Sequence, residues 1–166
     1  MEERPVIDIE MSGIYNFIEN TATIVALITF AAAFYYYFDL PEIVPIHFNL
    51  SGEADGYGGK IYIFLSPLMA IIFSFSLRLL NKYPHKFNYL IRITKENAYF
   101  QYKKAKEFII RLNFMLCLLF VYTTYNMIFY NNVKSELNSI LPVILITGGS
   151  LALIIHYLFV SSNKNT

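Results

Sequence analysis

Four long apolar runs dominate this chain, at about residues 21–38, 61–80, 108–130 and 139–160. A hydrocarbon core of about 30 Å needs about 20 apolar residues to cross it as a helix. The first and fourth runs hold no Lys, Arg, Asp or Glu, and the other two carry a charge only near one end, Arg78 and Arg111. Long basic side chains at such boundaries can reach the headgroups while their stems stay in the apolar layer. Tyr35, Tyr36, Tyr37, Tyr125, Tyr130 and Tyr157 gather at the ends of the runs, as interfacial aromatic belts do. Composition agrees. Of 166 residues, 56% are apolar and 15% charged, and mean hydropathy is +0.45. A water-soluble domain of this size lacks the core volume to hide so much apolar surface. The expected fold is an all-α membrane protein of four transmembrane helices, with an ordered extracytoplasmic loop between the first two.

The tail 1–20 holds Arg4 against Glu2, Glu3, Asp8, Glu10 and Glu19, 1 − 5 = −4. A cleavable signal peptide needs a basic start, so the first run reads as a retained helix. Orientation follows the distribution of Lys and Arg. The tail, the segment 78–111 and the C-terminal tail 161–166 share one side. They hold Arg4, Arg78, Lys82, Lys86, Arg92, Lys95, Lys103, Lys104, Lys106, Arg111 and Lys164, against Lys60 and Lys134 on the other. Both termini are therefore expected in the cytoplasm, with 21–160 as the membrane domain and the loop 39–60 outside.

Residues 78–111 carry nine basic and two acidic side chains, 9 − 2 = +7. This segment reads as a topology signal in contact with lipid headgroups, or as a docking place for a cytoplasmic protein. It should lie beside the acidic tail and partly neutralise it. Thr94 is placed to cap a helix starting at Lys95 and running into the third span, with Ala98, Tyr102, Ala105 and Ile109 on one face and Tyr99, Phe100 and Tyr102 at the membrane surface. Ser12 is placed to cap a short surface helix carrying Ile14, Phe17 and Ile18. A net charge of +1 argues against nucleic acid as a partner, and one cysteine, Cys117, excludes an intrachain disulfide.

The loop 39–60 is the most informative stretch. It holds four of the seven glycines, and Pro41 and Pro45 force an extended entry. Val44, Ile46, Phe48 and Leu50 alternate with Pro45, His47 and Asn49, so an extended ribbon with one buried face is expected. His47 and Asn49 then point together toward Glu53 and Asp55. The candidate site is Pro45, His47, Asn49, Gly52, Glu53, Asp55, Gly56 and Lys60, binding a ligand or stabilising the loop. An imidazole and two carboxylates could hold a divalent metal, but three ligands fall short of a closed site, and hydrogen bonding within the turn is the preferred reading. Ser51, Glu53 and Asp55 also mimic the start of an EF-hand loop, but Tyr62 stands where the bidentate Glu belongs.

Polar residues weighed within the spans are Thr23, Thr29, Thr123, Thr124, Asn126, Thr147, Ser150 and His156. Hydroxyls bond back to their own helix, and no Asp or Glu is expected to accompany His156, so a transport pathway is not expected. Ala22 with Ala26 and Gly148 with Ala152 give small-residue spacings that suit close packing within one bundle.

The string from Leu40 to Lys60, with Pro41, Pro45, His47, Gly52, Asp55 and Lys60 in order, resembles a bacterial membrane family of unknown function whose domain also forms the N-terminal part of SdpI-type bacteriocin immunity proteins. Asn88-Tyr89, Ile93 to Asn97 and Tyr102 resemble it too, although Leu90 stands where the family often has proline. The resemblance covers about residues 5–130. It implies a non-enzymatic, multi-pass protein of the bacterial cytoplasmic membrane that senses or neutralises a peptide toxin or envelope signal through its outer loop. No cofactor is expected. The alternative is a membrane enzyme using a metal at His47, Glu53 and Asp55.

Overall fold

The structure, a computed structural model, describes residues 4–49, 53–130 and 136–162, with side chains described for these except 136–141. The elements in order are α1 (Gly13–Tyr37), β1 (Ile43–Phe48), β2 (Ala54–Gly59), a 3₁₀ turn (Lys60–Phe64), α2 (Leu65–Leu80), a short 3₁₀ turn (Pro84–Lys86), α3 (Ala98–Phe129) and α4 (Glu136–Ser162). Among the described residues four helical stretches are long and apolar enough to cross a membrane. Their outward surfaces are apolar: Phe34 is 57% exposed, Leu145 64% and Phe159 74%. Groups of this size are stable outside only in an apolar solvent, so the chain reads as a multi-pass membrane protein.

The helices outrun the apolar runs in two places. No breaker separates Ile18 from Thr21, so the expected surface helix and the first span form one 25-residue helix. Ser12 stands at its N-cap and accepts from the Tyr15 and Asn16 amides through its carbonyl, while its hydroxyl makes no cap bond. α3 has 32 residues, about 48 Å at 1.5 Å per residue, so it extends well beyond a core of about 30 Å. It begins at Ala98, three residues after the expected start. Residues 95–97 are a turn, and Asn97 closes it by bonding the Thr94 amide and the Arg92 carbonyl. The Thr94 hydroxyl instead serves Glu96, whose carboxyl it holds below the usual carboxylate range.

α3 is central and packs on α1, α2 and α4. The middle layer is built from Ala22, Ala26, Ala70 and Cys117, with Ile71, Phe114 and Phe120 around them. Small residues let helices approach where no water drives them together. Ala22 and Ala26 thus serve the bundle's own core, whereas a Cβ at Gly148 would meet open space. Sequence reading passed over Ser74 and Asn113. The Ser74 hydroxyl bonds Thr23 at 3.0 Å and accepts from the Asn113 amide at 3.4 Å. These bonds cross between α1, α2 and α3, where a polar group without a partner would be costly. Two further clusters close the ends. Ala33, Val44, Ile63 and Met127 lie under the β-hairpin, and Ile9, Ile93, Ala98 and Tyr102 lie at the opposite end.

Candidate functional site

The connection between α1 and α2 is a two-stranded antiparallel hairpin. Its register pairs Ile43 with Gly59, Val44 with Gly58, Pro45 with Tyr57, His47 with Gly56, and Phe48 with Ala54. The ladder is irregular between Pro45 and His47 and again between His47 and Phe48. Ile46 is therefore extra on β1 and Asp55 extra on β2. Such bulges bend a strand and re-aim its side chains. They correct the expected alternation: Val44 and Pro45 are both buried, while Ile46 is 40% exposed and His47 is exposed beside it. Ile46 lies across β2, where a Cβ on Gly58 would come within 2.9 Å of its Cδ1.

The candidate polar residues form two pairs rather than one cluster. His47 Nδ1 and Asp55 Oδ1 are hydrogen-bonded. Asn49 pairs with Glu53: its amide N–H donates to the Glu53 carbonyl at 2.9 Å, the Glu53 N–H donates to Asn49 Oδ1 at 3.0 Å, and Asn49 Nδ2 donates to Glu53 Oε2 at 3.3 Å. These bonds close the tip of the hairpin. Gly56 faces His47 so tightly that a Cβ there would be 2.9 Å from His47 Cβ. Gly52, with Leu50 and Ser51, lies outside the described residues.

Two clamps fix the hairpin to the bundle. Lys60 donates its N–H to the Glu42 carbonyl at 2.9 Å, pairs with the Glu42 carboxylate at 3.0 Å, and sits 5.1 Å from the Tyr37 ring centre. Tyr130, at the end of α3, accepts from the Ala54 N–H at 3.1 Å and packs its ring on Phe48. Of these, Lys60 was legible in the sequence. Glu42 was not marked and Tyr130 was marked only as an interfacial tyrosine, because their partners lie on other elements.

The His47 and Asp55 side chains are 72% and 45% exposed. An exposed ion pair contributes at most about 1 kcal/mol to stability. The pair orients more than it stabilises. With Nδ1 committed to the carboxylate, Nε2 of this largely exposed side chain is left free to donate or accept. Glu53 is turned onto Asn49, and no group of three His, Cys, Asp or Glu suited to a metal occurs among the described residues.

At the opposite end of the bundle the tail lies on the segment between α2 and α3, as its charge suggests: Glu19 pairs with Arg78 at 3.6 Å, and further bonds hold the tail. Arg4 donates to the carbonyls of His85 and Phe87 at 3.2 and 2.6 Å, the Tyr102 hydroxyl donates to Pro5 O at 3.1 Å, and Lys106 donates to Ile9 O at 2.7 Å. Ile9 is buried among Ile93, Ala98 and Tyr102. Tyr102 is thus under the tail, not at a membrane surface. Burial holds the Tyr89 phenol protonated well above its ordinary range, and it donates to Pro84 O at 2.8 Å. Near the same end His156 is not without an acid. Glu107 lines a small cavity with it, Lys104 and Arg111. The long α3 brings this carboxylate alongside α4, and Lys104 pairs with it at 3.3 Å.

No curated protein and no solved structure matches the chain. Residues 24–71, which run from α1 through the whole hairpin into α2, match a family model described as a domain of unknown function (DUF1648).

Proposed function

We propose that this is a non-enzymatic sensor or immunity protein of the bacterial cytoplasmic membrane, with the hairpin outside and both termini in the cytoplasm. The observation that carries this reading is the solvent-facing His47–Asp55 pair on a hairpin clamped to the bundle by Lys60 and Tyr130. A strand pair held this firmly presents a fixed donor–acceptor pattern to a peptide toxin or envelope ligand, with little ordering entropy left to lose on binding. The resemblance of the loop to SdpI-type immunity proteins supports the same ligand class, and the count of Lys and Arg supports the orientation. The basic segment between α2 and α3 is the surface available to a cytoplasmic protein partner.

The experiment is a challenge of cells with and without the protein, using secreted peptide toxins and envelope stress. His47→Ala and Asp55→Ala should each abolish protection or signalling while membrane levels stay unchanged. Full activity in both variants would reject the hairpin as the working part.

A further inference from the structure

A cavity of about 360 Å³ lies between the tail, the end of α2 and α3. That is within the range of about 300–1,000 Å³ usual for ligand sites. Arg78, Lys82 and Lys106 line it against Asp8 and Glu19, 3 − 2 = +1, and tail residues including Ile7, Ile9 and Met11 give it an apolar wall. Glu19 is engaged by Arg78 at 3.6 Å. Lys82 has no carboxylate partner among the described residues. Asn81, 5% exposed, also lines the cavity. Its Nδ2 donates to Lys106 O, and its Oδ1 is buried without a hydrogen bond. Less than 1 Å² of that oxygen is accessible, so Asn81 serves as part of the cavity wall and not as a contact for a ligand.

The position narrows the ligand. The 21-residue stretch Lys60–Leu80 is a candidate span of about 30 Å. Arg78 and Lys82 at its end therefore lie at headgroup depth, whichever side faces out. We infer that this cavity binds the phosphate of an anionic phospholipid headgroup, with Lys82 and Arg78 on the phosphate. Basic recesses between membrane helices hold such headgroups by charge, and the apolar wall suits the glycerol end. The site is remote from the hairpin, so it stands whether or not the hairpin binds a peptide.

Native mass spectrometry of the full chain in mild detergent tests it, with short-chain phosphatidylglycerol, phosphatidylcholine and inorganic phosphate as probes. One phosphatidylglycerol per chain should be retained at concentrations where phosphatidylcholine, which has no net charge, is lost. Lys82→Glu should weaken that binding by roughly tenfold or more. Lys82 is exposed, so the unfolding temperature in detergent alone should not change. If it does change, Lys82→Gln provides the comparison, with a loss of about fivefold expected. Equal retention of the two lipids, or wild-type binding by the Lys82 variants, would overturn the site. Displacement of the lipid by an equal concentration of inorganic phosphate would overturn the lipid as its source.

Discussion

Gly56→Ala is the sharpest test of how the hairpin positions His47. Residues 47 and 56 are paired across the strands, and the new Cβ would lie 2.9 Å from His47 Cβ. Carbon atoms in ordinary contact stand about 3.5–4.0 Å apart. The gap must therefore open by roughly 0.6 Å or more. No rotamer change relieves the clash, because both atoms are set by their backbones. Overpacking of this kind costs about 1–3 kcal/mol. Loss of glycine's freedom in the unfolded chain returns about 0.4–1 kcal/mol. The midpoints of the two ranges leave about 1.3 kcal/mol, or roughly tenfold in the opening equilibrium of the hairpin. Hydrogen exchange of the full chain in lipid nanodiscs reads this directly. Amides of 43–59 should exchange faster by that factor, while those of α3 stay unchanged. Gly59→Ala is the internal control, since nothing lies within 4 Å of a Cβ there. Exchange no faster than wild type in Gly56→Ala, or equal acceleration in Gly59→Ala, would refute the close-approach account.

Tyr130→Phe removes the acceptor of the Ala54 N–H but keeps the ring on Phe48. It should speed exchange at Ala54 by about fivefold, the equivalent of about 1 kcal/mol, and leave the transmembrane amides alone. Ile9→Ala removes a side chain that is 2% exposed among Ile93, Ala98 and Tyr102. The loss of about 2–4 kcal/mol should release the tail. A spin label at exposed position 10 should then show a mobile spectral component, and an unchanged spectrum would mean that the Arg4 and Lys106 hydrogen bonds suffice.

Several features of the site were legible along the chain. Glycine density, two prolines and period-two spacing announced an extended ribbon at 44–50, and His47 and Asp55 do meet. The partition into two pairs was not legible, because it depends on bulges at Ile46 and Asp55. A single extra residue reverses the face of every side chain beyond it, and local composition does not count residues across strands. Ile46 is the visible cost of that gap: placed on the buried face by its spacing, it lies exposed. Glu107 failed differently. Its sequence neighbours are basic and place it at a boundary, yet the length of α3 brings it to a small cavity that His156 of α4 also lines.

The sequence by itself determined the four apolar runs, because crossing a hydrocarbon layer makes a demand on every residue in a window, and such a demand is additive along the chain. It also determined where glycines and prolines interrupt helix. Tertiary structure alone decided which polar groups pair: Ser74 with Thr23 and Asn113, Tyr130 with Ala54, Arg4 and Lys106 with distant carbonyls. Such bonds join residues far apart in sequence, and their geometry exists only once the helices have packed. The acidic tail shows the difference most clearly. Its charge correctly placed it near a basic segment, but its anchor is a buried isoleucine, and its hydrogen bonds come from its own lone arginine, from the Tyr102 hydroxyl and from a lysine reaching a main-chain oxygen.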